Sequence, residues 1–579
     1  MAEMQIYGWG HGDTYSEHVL QHLIDVHDVI SFDIFDTLLM RTVLDPTDVF
    51  EIVEKRAEHH GMHLPDFKFE RLGAEYRILS SGRRHSLPEI YEDVRQRLDL
   101  LPEEAAWLKA CEWQVEQEVI RPRENVCAWM KRAKAAGKRV VLVSDMYLST
   151  EEIQFLLKKW NLTEYDAIYL SGEYGSGKPE ALFDHMKKEQ QGERYLHIGD
   201  HPVSDGTSAN AHGMDAFLIP SAKTMFASVR GNESLRFAEN LQARCILGRA
   251  ISRLCNDPFT WQADGTLHVS DAETYAYAFL GPLFASFFSW LVDDVRRERY
   301  DAVLFASRDG FFLQKLYEWY RKKHPELPRS QYLYVSRMAC ITASFETEAD
   351  VRNSASFIQR AGAALGPLMG AEDGLLSVAH AVEVSKTLRE NFVRYLHGIG
   401  LHPEGHYAFF DLLSSGTSQS ILQKIFFRDL TGIYLARDFS PRSSYLDPHL
   451  RIHHFSEKFF GAKDAELDFE QNHDLEYEFF CSAPEGSVYH FDAEGKPVFL
   501  PDRRRAEDWV VAEAFQRGIS SFCREALGQD IPSGTEVSRA VGISLANQRF
   551  YIASGKEFAK ERLLYDDACK RYFSLVNGF

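Results

Sequence analysis

The sequence predicts an α/β protein with two Rossmann-like lobes, each built on a parallel sheet. Short apolar, β-prone runs recur along the chain, and most end on an acid, a hydroxyl or a small residue. A helical segment follows most of them, and such alternation predicts a parallel sheet covered by helices. The pattern occurs twice, once before residue 220 and again after residue 261, with a mainly helical stretch between. A chain of 579 residues has room for roughly three or four domain-sized units.

The first lobe is organised around VISFDIFDTLL, residues 29–39. Its apolar run ends on Asp33, and the following loop carries Asp36 and Thr37. A carboxylate at the tip of a buried strand sits where open α/β sheets bind ligands. Aspartates also serve as covalent nucleophiles, including as aspartyl-phosphates. In isolation, an acid there could equally cap the next helix. Three later pieces favour the chemical reading. The run 139–143 ends on Ser144-Asp145, Gly177-Lys178-Pro179 follows in a loop, and the run 195–198 ends on Gly199-Asp200, with Asp205 beyond.

In order and spacing these motifs resemble the haloacid dehalogenase-like hydrolase superfamily, over residues 28–220. The resemblance implies that Asp33 attacks phosphorus, that Ser144 and Lys178 hold phosphoryl oxygens, and that Asp33, Asp200 and Asp205 bind Mg²⁺. A carboxylate and a phosphate repel each other, so a metal and a lysine are needed to offset that charge. One departure concerns proton transfer. The family pattern DxDxT has a second acid two residues after the nucleophile, and Phe35 stands there. Asp36, one residue later, is the expected substitute, with an acid from elsewhere or slow turnover as alternatives.

Residues 1–27 read as a short leader with a helix over 16–26. Apolar residues at three- and four-residue spacing predict helices over 47–60, 68–79, 87–98 and 103–120. Pro46 suits the first turn of the first of these. An all-helical insert between the first two motifs, about 43–133, resembles the cap of one subclass of the same superfamily. Such caps close over the phosphate and select substrate. The expected division is a hydrolase lobe over 1–222, a helical linker over 223–260 and a second lobe over 261–579.

The second lobe should have strands over 300–306, 332–335, 407–410 and 431–436. Helices are expected over 311–322 and from about Gln419. Its most informative stretch is FFDLLSSGTSQS, 409–420: a strand ending on Asp411, then Ser414, Ser415, Gly416 and Thr417, then a helix. Small hydroxyl residues at a helix N-terminus suit a phosphate. The stretch resembles the phosphoribosyl-pyrophosphate (PRPP) loop of type I phosphoribosyltransferases. Asp411 matches the second acid of that loop, while Phe410 replaces the first. Ser307, Arg308, Asp309 and Gly310 fall where that family holds pyrophosphate, with Arg308 as cation and Asp309 within reach of Mg²⁺. Glu476, Glu478 and Glu485 are candidate bases for an acceptor hydroxyl, or simply solvated surface acids. His453 and His454 are expected to be structural, and 507–579 to be helical.

The pairing of the lobes resembles two-domain bacterial proteins that place ribofuranose in surface polysaccharides such as O antigen and capsule. That implies phosphoribosyl transfer from PRPP to a glycan acceptor, lipid-linked, then removal of the 5-phosphate. Two alternatives stay open: a sugar-phosphate phosphatase with a glycan- or partner-binding module, and a scaffold with two degenerate sites. A net charge of −20 argues against nucleic acid as a partner. Eight cysteines without paired spacing suggest a reducing compartment. No signal peptide is expected. The uncharged run 275–292 reads as a buried core helix rather than a membrane span, with peripheral membrane contact as the alternative. The expected location is the cytoplasm, or the inner face of the cytoplasmic membrane.

Overall fold

A computed structural model describes residues 4–82, 86–354, 367–369, 377–438, 449–458, 474–502, 504, 506–528, 539–554, 563–566 and 571–574. The chain forms two compact units: 1–269 with 528–534 and 551–555, and 270–527 with 535–550 and 556–579.

The first unit is built on a six-stranded sheet. Its strands are β1 (Ile6–Gly8), β2 (Val29–Phe32), β5 (Arg139–Ser144), β6 (Ala167–Leu170), β7 (Tyr195–Gly199) and β8 (Asp215–Leu218), in the order β1-β8-β7-β2-β5-β6. Every pairing is parallel. Residues 29–32 are buried on both faces, which is why the run is continuously apolar apart from Ser31. β1 lies in the stretch expected to be a leader. Three residues are too few to announce a strand, and it exists because it pairs with β8.

Four helices form the insert, at Asp48–His59, Phe67–Ser80, Leu87–Arg97 and Pro102–Val119. A neck of two short antiparallel strands, β3 (Leu39–Arg41) and β4 (Ile120–Pro122), joins it to the sheet. The next helix, Glu124–Ala135, packs against β5. Pro46 lies just before its helix, in the turn that leads to Asp48. Helix Leu241–Leu254 runs close enough to the start of the insert that a Cβ on Gly248 would stand 2.3 Å from the Val43 carbonyl carbon. β9 (Leu267–His268) ends the main span of this unit.

The second unit has a parallel five-stranded sheet of β10 (Ala302–Ala306), β11 (Arg329–Leu333), β12 (His406–Ser414), β13 (Asp429–Asp438) and β14 (Ile452–Lys458), ordered β11-β10-β12-β13-β14. The bounds differ from the expected ones: β10 starts two residues later and β13 runs two residues further at each end. β11 begins and ends earlier because its register sets Leu333 opposite Ala306. β12 continues past Asp411 because β13 pairs with it through Ser414. Asp411 is therefore within the strand rather than at its end. β15 (Val488–Phe491) and β16 (Pro497–Phe499) form an antiparallel pair.

The stretch 507–579 is not wholly helical. Helices Ala506–Gly528 and Arg539–Ile552 are followed by β17 (Ala553–Ser554), β18 (Leu563–Asp566) and β19 (Arg571–Ser574), the last two forming an antiparallel pair. Among the described residues, one helical stretch, Ala272–Glu298, is long and apolar enough to cross a membrane, and 89% of its apolar window is buried. It contains a π turn at Ala276–Leu280, and Gly281 packs directly on Phe522. It is a core helix of its unit.

Replacing Gly248 by alanine should lower the unfolding free energy by about 1–3 kcal/mol, as overpacking against rigid backbone does. Gly398→Ala is the control, since no atom lies within 4 Å of the added methyl. Denaturant titration of both variants checks this, with the control expected to be neutral or slightly stabilising.

Candidate functional sites

In the first sheet the chain runs outward from β2 in both directions, to β5 and β6 on one side and to β7 and β8 on the other. The crevice between β2 and β7 is thus a topological switch point, where such sheets take ligands. Asp33 follows β2, and its N–H extends the pairing by donating to the Ile198 carbonyl (2.9 Å). Asp200 follows β7, and Ser144 closes β5, buried.

Lys178 is brought in from the loop after β6. Its backbone N–H donates to Asp145 Oδ1 (3.0 Å). Its ammonium, 2% exposed, donates to Asp33 Oδ1 (2.5 Å) and Asp205 Oδ1 (2.6 Å). Asp205 is fixed from three further directions. His197 Nε2 lies 3.1 Å from Oδ1, the His201 N–H donates to Oδ2 at 2.8 Å, and the carboxyl packs against bare Gly199. A Cβ at Gly199 would stand 2.3 Å from Asp205 Cγ. Asp205 rides on a π turn, Pro202–Thr207, in which the Ser208 N–H reaches back five residues to Val203. His197 is in turn held by Ser31, 2.7 Å from Nδ1.

The expected substitute acid, Asp36, lies in the turn after Asp33. Its φ is +57°, rare for a residue with a side chain. Its N–H donates to the Leu39 carbonyl (2.6 Å). Phe35 is half-buried, with the Arg41 guanidinium 4.8 Å above its ring. Arg41 is itself gripped by Glu116 through Nε (3.0 Å) and Nη2 (2.8 Å).

Three carboxyl groups, those of Asp33, Asp200 and Asp205, share one ammonium here. Burial raises Asp33 from its ordinary 3.8 to about 7, against the pull of Lys178. Burial also raises Asp200, helped by the fields of Asp36, Asp33 and Asp205. Asp205 is held ionised: Lys178 and His197 outweigh its burial. Lys178 goes up because the two acids outweigh its desolvation.

Carboxylate oxygens of Asp33, Asp200 and Asp205 lie within 4.8 Å of one another, a hard-oxygen set that fits a divalent cation such as Mg²⁺. The raised values of Asp33 and Asp200 are what an excess of negative charge produces. Asp205 has both oxygens engaged already.

The second sheet has its own switch point between β10 and β12. Ser307, Arg308, Asp309 and Gly310 follow β10, while Asp411 and Ser414 lie on β12 and Ser415, Gly416 and Thr417 follow them. The two stretches therefore flank one crevice. Their details differ from the expectation. The N–H groups of Ser307, Arg308, Asp309 and Gly310 are all taken, by Leu333, the Tyr332 hydroxyl, Ser307 and Ala306. That loop has no backbone donors left to cradle an anion. Arg308, at φ +70°, directs its Nη1 to the Ser487 hydroxyl. Phe410 is fully buried against Phe287 and Phe305, a core position with no room for an acid.

At the second turn, Gly416 takes φ +93° and opens helix Thr417–Ile425, whose first N–H groups have no preceding helical carbonyl. Asp309 is raised well above its ordinary value by burial and by the charges of Glu478 and Asp411. Asp411 is raised by burial, against the pull of Ser414 and Arg337. Arg337, exposed just beyond β11, is the cation whose field reaches both acids, and the sequence reading did not select it. Of the candidate bases, Glu478 lies in the field of Asp309, whereas Glu485 accepts from the Tyr332 hydroxyl. The side chain of Glu476 lies outside the described residues. His453 Nδ1 sits 2.9 Å from buried Asp294.

The first fold and site together define an α/β domain with a carboxylate cluster and a buried lysine at its switch point. Comparison with protein families supports this: residues 27–213 match the model described as haloacid dehalogenase-like hydrolase, and the N-terminal part of the chain is such a domain. Among curated proteins there is no match. Among solved structures, the chain is similar to L-2-haloacid dehalogenase from Xanthobacter autotrophicus (15% identity, 37% of this chain, 84% of that one, TM-score 0.26). It is also similar to a HAD phosphatase from Thermococcus onnurineus (19%, 33%, 86%, 0.25). A third is a predicted phosphoglycolate phosphatase from Haemophilus somnus 129pt (15%, 34%, 90%, 0.24).

Between about pH 4 and 7 the folded, metal-free protein keeps a proton on Asp33 that the unfolded chain has lost. Folded-state affinity for that proton is the greater, so this group's contribution to stability falls as pH rises through the window. A bound divalent cation favours the ionised form. The rise in melting temperature on adding Mg²⁺ should therefore be larger at pH 8 than at pH 5. A pH-independent rise would place the cation elsewhere.

Proposed function

We propose that the first unit is a phosphomonoester hydrolase in which Asp33 attacks phosphorus. The observation that carries this is the Lys178 ammonium bridging Asp33 and Asp205, with Asp200 beside them, at the switch point of the sheet. Lys178 fixes the nucleophile and offers positive charge to an incoming phosphoryl group. Ser144, at the tip of β5, supplies a hydroxyl for a phosphoryl oxygen. Asp33 and Asp200 would hold Mg²⁺, which when bound offsets phosphate charge. Asp205 orients Lys178. Asp36 donates the proton to the leaving group.

The test is phosphate release from p-nitrophenyl phosphate and ribose 5-phosphate, with and without Mg²⁺. Asp33→Asn should reduce it by at least ~10³-fold, since a covalent step cannot proceed without its nucleophile. Wild-type turnover in that variant would sink the assignment.

For the second unit our reading is phosphoribosyl transfer from PRPP to a hydroxyl of a lipid-linked glycan, in the cytoplasm. The first unit would then remove the 5-phosphate to leave ribofuranose. Supporting it are the crevice between β10 and β12, its half-buried acids Asp309 and Asp411, Arg337 at the rim, and the open helix N-terminus at Thr417. Glu478 is the proposed base. Asp33→Asn protein given PRPP and acceptor should accumulate a product one phosphate heavier, read by mass spectrometry. Asp411→Ala should release no pyrophosphate yet still remove that phosphate. Absence of any sugar transfer by wild-type protein would leave the second unit as a binding module.

A further inference from the structure

Arg123 follows neck strand β4, where the chain returns from the helical insert. It is fully buried. Its backbone N–H donates to the Leu38 carbonyl (2.8 Å). Nη1 donates to the carbonyls of Asp36 (2.8 Å) and Pro220 (2.9 Å), Nε to that of Asn256 (3.3 Å), and Nη2 to that of Cys255 (3.4 Å). Each acceptor is a neutral carbonyl, and Arg123 makes no salt bridge among the described residues. Burying a guanidinium without a carboxylate partner is costly, so ion pairing does not explain its presence.

The geometry points to Arg123 as a positioning residue of the hydrolase site, clamping the turn after Asp33 so that Asp36 faces the acid cluster. This rests on the phosphatase reading of that site. Asp36 has a left-handed backbone, which persists only where its surroundings over-determine it. Its N–H is tied to Leu39 and its carbonyl to Arg123, so both of its backbone groups are held. The same guanidinium binds the exit of β8 at Pro220, and the same residue's N–H binds Leu38 beside β3. One residue therefore ties the turn after Asp33, the neck and the exit of β8 together. The charges of Asp200 and Asp36 both act on Arg123.

The test uses the full chain with Arg123→Met and Arg123→Lys. In Arg123→Met, kcat on an alkyl phosphate should fall about 100-fold, within what general-acid help supplies. On an aryl phosphate, whose leaving group needs little protonation, the fall should be under about tenfold. KM should change less than about threefold, and Arg123→Lys should recover part of the alkyl loss. Amide hydrogen exchange in 36–39 should quicken in Arg123→Met, with that of β5 and β7 unchanged. Equal losses on both esters, or no loss in a folded variant, would overturn the clamp. Should wild-type protein hydrolyse neither ester, the phosphatase reading fails by itself. Exchange then decides the clamp: selective quickening at 36–39 supports it, and unchanged exchange overturns it. If Arg123→Met does not fold, Arg123→Lys carries the same comparisons.

Discussion

A lysine buried to 2% exposure keeps its charge only if carboxylates surround it, and the first unit is arranged to meet that demand at Lys178. Its two acids come from opposite sides of one crevice, Asp33 beyond β2 and Asp205 beyond β7. They can reach one ammonium because those strands are neighbours although they are far apart in sequence. The bare Gly199, the His197–Ser31 pair and the π turn all bear on Asp205, and through Lys178 on Asp33.

Much of this was legible in the sequence because strand-tip motifs are local. Asp33, Ser144, Lys178 and Asp200 each follow a short apolar run or lie in a loop, and the order of the runs implies one sheet. What could not be read depends on three-dimensional partners. Arg123 looks like any charged residue at a helix start, and its contacts are four carbonyls from three distant segments. The relation of Arg337 to Asp309 and Asp411 needs the order β11-β10-β12. β1 was missed because three residues carry no periodicity, and the limits of β11 and β12 are set by their neighbours rather than by composition.

The two phenylalanines found where the sequence resemblances lead one to expect an acid have different surroundings. Phe410 is part of the aromatic core of the second unit, so a carboxylate there would be buried without a partner. Phe35 is half-buried beneath a guanidinium, next to the crevice rather than under it. The acid next to Phe35 in the chain, Asp36, lies in a turn with a left-handed backbone.

The π turn at Pro202–Thr207 has a consequence for sequence length. A π turn holds one more residue than the α turn it replaces. Deleting any one residue between Asp200 and Asp205 would restore the ordinary helical repeat and swing the later acid by about 100° round the axis. Loops usually absorb such deletions without harm. Here the count of residues is itself part of the chemistry: a frame-preserving loss of a single codon, with every functional side chain still encoded, would uncouple the lysine from its second carboxylate.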